Sequence, residues 1–273
     1  MVSVAVPPLL FALACWFFGT AAIVWLDSRP RKTFARSFRI AGLVALAALI
    51  AIVALKGDTG VTAAYVSFAS AIALWGWHEM GFLMGFVSGP RKTPCPPDLT
   101  GFARFRAASE TVIHHEIALA ATVMLLFALC WGAPNQAGPL AFALLFALRL
   151  SAKLNLFLGV PSLSDEVFPP HLDYLKSYFR KARANWLFPV SVMLGSGAAW
   201  AAWRAAETAT NPGAAASYMM LAGLAFLGVV EHLLLVLPLR DAALWLWASN
   251  PRPVPTPVPA QAPAAKTAPK SER

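Results

Sequence analysis

The sequence predicts an all-α fold, a polytopic transmembrane helix bundle of about seven spans with the N-terminus outside and the C-terminus inside. Three observations predict it. The 273 residues are 58% hydrophobic and 13% charged, where a soluble domain carries roughly 25% charged residues. Seven apolar runs are separated by polar loops, the pattern of membrane helices. Lysine and arginine alternate between rich and poor loops, which orients the spans because cytoplasmic loops carry the excess of positive charge.

The expected spans are 9–26, 40–55, 61–87, 111–131, 139–158, 187–203 and 217–237. The first apolar run is followed, not preceded, by basic residues, so it is expected to be a retained helix and not a signal peptide. The second is short against the ~20 residues that cross a bilayer, and is expected to borrow Phe38, Arg39 and Lys56 by snorkelling. The third ends in GFLMGFVSG, which spaces Gly81, Gly85 and Gly89 four apart. Small residues at that spacing predict close helix packing.

The loops fix the orientation. The basic ones hold Arg29, Arg31, Lys32, Arg36 and Arg39, then Arg91, Lys92, Arg104 and Arg106, then Lys176, Arg180, Lys181 and Arg183. The loops between them hold only Lys56, none, and Arg204. The loop 159–186 mixes aromatic and basic residues and predicts an amphipathic segment at the cytoplasmic interface, anchored by Tyr174, Tyr178 and Phe179. Residues 1–245 are expected to form the bundle, and 246–273 a disordered, Pro/Ala-rich cytoplasmic tail.

This layout also excludes functions. The net charge of +9 lies in loops facing one side, so lipid headgroups and not nucleic acid are the expected partner. Cys15, Cys95 and Cys130 form no CxxC pair and give no disulfide framework or zinc ribbon. There is no Gly-rich phosphate loop, GxSxG elbow or HExxH motif. The ten tryptophans and eighteen phenylalanines are expected to form interface belts and packing.

Ionisable residues inside spans are costly and mark functional sites by default. The candidates are His78 and Glu79 in the third span, Glu110, His114, His115 and Glu116 in the fourth, and Glu231 and His232 in the seventh. Arg149, Lys153 and Asn155 in the fifth, with His171 in the adjoining loop, are candidates for supporting or substrate-binding roles. With the predicted orientation they gather in the cytoplasmic half, His78 about 14 Å above Val87 at ~1.5 Å per residue. Three readings stay open. The His/carboxylate set suits non-haem iron or manganese, and also zinc. Alternatively, Glu–Arg and His–Glu pairs lock the helices together. In the third reading a histidine contacts a tetrapyrrole or quinone. A transporter is a weaker idea, because no pair of interrupted helices is evident.

The segments WHEMGFLMGFVSGPR (77–91), SETVIHHE (109–116), KLNLFLGVP (153–161) and PPHLDYLKSYF (169–179) resemble the PuhE-type photosynthetic complex assembly proteins of purple bacteria, over about residues 1–245. The genes of that family accompany the gene for the reaction-centre H subunit. The resemblance implies a multi-pass protein of the bacterial inner (cytoplasmic or intracytoplasmic) membrane. It implies a role in assembling reaction-centre or light-harvesting complexes, or in modulating bacteriochlorophyll production. Reaction-centre or light-harvesting subunits and pigment-biosynthesis enzymes are the implied partners. The resemblance supplies no active site. The alternative function is a membrane-embedded, metal-dependent oxidoreductase acting on a lipophilic pigment precursor.

Overall fold

The computed structural model describes residues 2–163, 169–237 and 247–248. Seven α-helices are present among the described residues: α1 (Val2–Asp27), α2 (Phe34–Ala54), α3 (Val61–Leu83), α4 (Gly101–Leu129), α5 (Ala137–Leu158), α6 (Leu187–Glu207) and α7 (Pro212–Leu234). No strand occurs among them, only one parallel bridge between Val160 and Lys181. By length and composition α1, α2, α4, α5 and α7 qualify as membrane-crossing helices. α3 and α6 are long enough, but their Ser, Gly and Trp content lowers their hydropathy.

Four helices begin well before the apolar runs suggest, α1 among them, at Val2. α2 starts at Phe34, so its 21 residues need no borrowing. α4 starts at Gly101, where Phe102, Arg104, Phe105 and Arg106 form amphipathic turns before the apolar run. α7 starts with Pro212 at its first position, and the Asn211 side-chain oxygen accepts the Ala214 N–H at 2.8 Å, a favourable N-cap arrangement.

Burial sorts the helices. In α7, 56% of the apolar window is inside the bundle, against 11% in α1 and 17% in α2 and α4. α7 packs against α1, α3, α5 and α6, and α3 packs against α1, α2, α5 and α7. The core between them is built from Phe68 and Trp75 of α3, Leu119 of α4, Phe142 of α5, and Met220 and Leu224 of α7. The exposed faces carry large apolar side chains such as Leu43, Ile50, Met124 and Trp200. In water such patches would drive association, and in a bilayer they are the solvated surface.

The end of α3 departs from the expected helix 61–87. Gly85 adopts φ +81°, a conformation that favours glycine, so the chain turns instead of continuing the helix. His78 consequently lies about 8 Å from the helix end, not about 14 Å. Gly81, Gly85 and Gly89 do not share one helical face: Gly81 packs on Phe38, Gly85 on the His171 ring, and Gly89 on the backbone of α4. Trp247 and Ala248, within the expected tail, pack against α1, Trp247 stacking on Phe17. The other tail residues lie outside the described set, as does the remainder of the boundary at 245.

Candidate functional site: an apolar cavity with ionisable side chains

Four helices bring ionisable groups to one end of the bundle. Glu79 is placed on α3 one turn before its end, Glu116 at the middle of α4, Arg149 and Lys153 in the second half of α5, and Glu231 near the end of α7. Arg149 and Lys153 are four apart and share a helix face. The Lys153 ammonium donates to Glu116 Oε1 at 2.5 Å and lies 5.6 Å from the Phe82 ring centre. Arg149 approaches Glu79 Oε2 at 3.9 Å. The indole N–H of Trp16 on α1 donates to Glu231 Oε1 at 3.0 Å.

These five ionisable side chains line one cavity of about 1220 Å³. Most of its wall is apolar, supplied by residues such as Ile23 of α1, Val44 of α2, Ile72 of α3, Val112 of α4, Phe157 of α5 and Leu224 of α7. Glu79 is held from behind by His115, whose fully buried ring places Nε2 3.8 Å from Glu79 Oε1. That distance exceeds a hydrogen bond. Phe82 covers the other side of the ring at 4.8 Å between centres.

Two histidines are committed elsewhere. His232 Nδ1 lies 2.7 Å from the Gly228 carbonyl and Nε2 lies 2.9 Å from Ser151 Oγ. A carbonyl only accepts, so Nδ1 carries a proton and donates to it. Ser151 Oγ also meets Ser191 Oγ at 2.8 Å, and Asn155 Nδ2 donates to Ser191 Oγ at 3.0 Å. This buried chain ties α5, α6 and α7 together. His78 faces Thr122 Oγ1 at 3.0 Å. That hydroxyl also donates to the Ala118 carbonyl at 2.9 Å, so the His78 Nε2 carries a proton and donates. Its ring edge packs on Phe142 and Trp77.

The remaining candidates are separate. His114 is exposed on the outer face of α4, while His115 faces inward. Glu110 pairs with Arg91 at 2.9 Å and Arg106 at 3.2 Å. It is therefore a surface ion pair and does not belong to the cavity. The His171 Nε2–H donates to the Leu83 carbonyl at 2.7 Å, so the ring caps the end of α3. Among the described residues no three His, Cys, Asp or Glu side chains approach closely enough to hold one metal ion. The expected ligand set of His78, Glu79, Glu110, His114, His115, Glu116, Glu231 and His232 does not converge, because its members take different helix faces and different partners. Among the described residues this donor set offers no shared centre for an iron or manganese ion.

Sequence reasoning missed Trp16, Thr122, Ser151 and Ser191. Their signal was faint: hydroxyls in apolar helices are common, and only their alignment with His78 and His232 gives them meaning.

The connections close the same end of the bundle. Gly89 lies so near α4 that a Cβ there would sit 2.0 Å from the Glu110 carbonyl oxygen. The Arg91 N–H donates to that oxygen and the His115 N–H to the Ser88 carbonyl, both at 3.1 Å. Residues Pro170–Tyr178 form a 3₁₀ segment. The expected interfacial anchor here is instead partly a plug, with Leu172 and Leu175 packed on Phe82 and Val112. Tyr178 is buried and its hydroxyl donates to the Thr93 carbonyl at 3.1 Å, and burial pushes this phenol above its ordinary range. Arg104 donates to the Tyr178 carbonyl at 2.6 Å and stacks over Phe157.

The fold and the site define a multi-pass α-helical membrane protein with a large, mostly apolar cavity that carries a few ionisable side chains. The chain belongs to the family described as Protein of unknown function (DUF3623), whose model matches residues 1–256. It is 38% identical over 248 residues to a Rhodobacter capsulatus protein described as an uncharacterized 30.4 kDa protein in the puhA 5' region, covering 87% of this chain and 88% of that one. No solved structure matches the chain.

Proposed function

We infer that this protein is an inner-membrane factor for assembly of photosynthetic complexes or for modulating bacteriochlorophyll production, and that its cavity holds a lipophilic ligand in that role. The observation that carries the reading is the 38% identical relative described by its place in the puhA 5' region. That agrees with the resemblance to proteins whose genes accompany the reaction-centre H subunit gene. The cavity supports the ligand-holding part, since apolar concave sites with a few placed polar groups are the usual form of a ligand site. In this reading the bundle crosses the membrane seven times, with the N-terminus outside. The alternation of basic loops supports that orientation, and it puts the cavity in the cytoplasmic half. The separate partners taken by the nominated ligands among the described residues weigh against a metal-dependent oxidoreductase.

The test is deletion of the gene in a phototrophic host and complementation from a plasmid. Reduced reaction-centre and light-harvesting absorption bands, restored by the wild-type gene, are the expected result. Unchanged bands under phototrophic growth would sink the assembly reading.

A further inference from the structure

Arg149 is the less satisfied of the two cations that line the cavity. Its guanidinium offers five N–H donors, makes no hydrogen bond among the described residues, and has its carboxylate partner only at 3.9 Å. Lys153 lies one turn along on the same face, and both line the cavity. The cations stand forward of their counterions. The Arg149 and Lys153 side chains are 43% and 25% exposed, whereas those of Glu79 and Glu116 are 9% and 15% exposed. An occupant therefore meets donors first, with the carboxylates holding those donors from behind. The volume of about 1220 Å³ exceeds the ~300–1,000 Å³ of most small-molecule sites, which calls for a long or polycyclic apolar body.

We propose that the cavity binds an amphipathic, lipid-soluble acid, its anionic group held between Arg149 and Lys153 and its apolar body among α1, α3, α5 and α7. The proposal rests on the ligand-holding part of the reading above. A guanidinium matches a carboxylate or phosphate through two parallel N–H bonds, and the ammonium adds a point charge. A purely apolar occupant would leave the Arg149 donors without acceptors in a medium poor in water, which is costly. Glu79 and Glu116 are positioning residues that hold the two cations. The acid has two sources, an anionic membrane phospholipid or a free lipophilic carboxylic acid.

The experiment uses the full-length protein in neutral detergent. Binding of cis-parinaric acid and of its methyl ester is followed by fluorescence titration. Phosphatidylglycerol and phosphatidylcholine are compared as competitors. The acid is expected to bind about tenfold more tightly than the ester. Arg149→Gln removes that preference and Arg149→Lys keeps part of it. Displacement of the acid by phosphatidylglycerol but not phosphatidylcholine assigns the phospholipid source, and displacement by neither assigns the free acid. Equal binding of acid and ester by the wild type overturns the proposal, as does failure of the wild type to bind either the acid or phosphatidylglycerol. The wild-type comparison stands even if a variant misfolds. A deletion strain with normal complexes, beside a protein that still prefers the acid, would remove the assembly reading and leave this one.

Discussion

Gly89→Ala tests whether the turn after α3 is seated on α4 as described. The new Cβ would lie 2.0 Å from the Glu110 carbonyl oxygen and 2.6 Å from the Thr111 carbonyl carbon. Both are backbone atoms, so no side chain can swing away, and the two segments must part by about 1 Å or more to reach ordinary contact. That separation strains the Arg91 N–H to Glu110 and His115 N–H to Ser88 hydrogen bonds, each worth about 1 kcal/mol net. Overpacking adds about 1–3 kcal/mol, for a total near 3–5 kcal/mol by these figures. At roughly 2–4 °C per kcal/mol for a chain of this size, the melting temperature should fall by about 10 °C. The assay is thermal unfolding of the purified protein in detergent, followed by tryptophan fluorescence. Gly197→Ala is the control, because nothing lies within 4 Å of its Cβ position on α6 and alanine favours a helix by up to about 1 kcal/mol. A Gly89→Ala protein that melts with the wild type would refute the packing argument.

Other perturbations separate the groups within the site. Lys153→Met leaves Glu116 unpaired and should cost about 2 kcal/mol in thermal or denaturant unfolding, while the double variant Lys153→Met/Glu116→Leu should recover most of that loss. If the double variant is as unstable as the single one, the pair is not the cause. His232→Ala removes two hydrogen bonds and buried volume and should cost about 2–4 kcal/mol, whereas His114→Ala on the exposed face should stay within about 0.5 kcal/mol. Equal effects in the same melting assay would contradict the inward and outward placement of these rings. A membrane-impermeant maleimide should label Cys95 in inverted vesicles and not in intact spheroplasts, with buried Cys130 unreactive in both. Labelling from the periplasmic side would reverse the proposed orientation.

The helices were legible because hydrophobicity alone marks them, and each apolar run falls on a helix. Their ends were less so. Nothing in GFLMGFVSG distinguishes a packing stripe from a turn, since both use glycine, and only the backbone at Gly85 decides. The amphipathic start of α4 escaped because Arg104 and Arg106 read as loop charge. They belong to a helix that continues beyond the apolar run, one making contact with the 3₁₀ segment. In the site, the sequence identified which helices carry ionisable groups, and Glu79, Glu116, Arg149, Lys153 and Glu231 do line one space. It did not resolve partners. Adjacent residues such as His114 and His115 point about 100° apart on a helix, and that rotation separates an exposed ring from a buried one. Glu110 appeared to belong with His114 by spacing, but Arg91, nineteen residues earlier, arrives through the turn and claims it.

The polar contacts around Ser191 set a register. The fifth helix reaches that one oxygen of α6 twice, through Ser151 Oγ at 2.8 Å and Asn155 Nδ2 at 3.0 Å, and Ser151 also meets His232 of α7 at 2.9 Å. Two residues four apart on one helix that meet a single point on its neighbour fix both height and rotation. Sliding or turning α5 would break both contacts at once, so this part of the bundle has one seating and not a range of them.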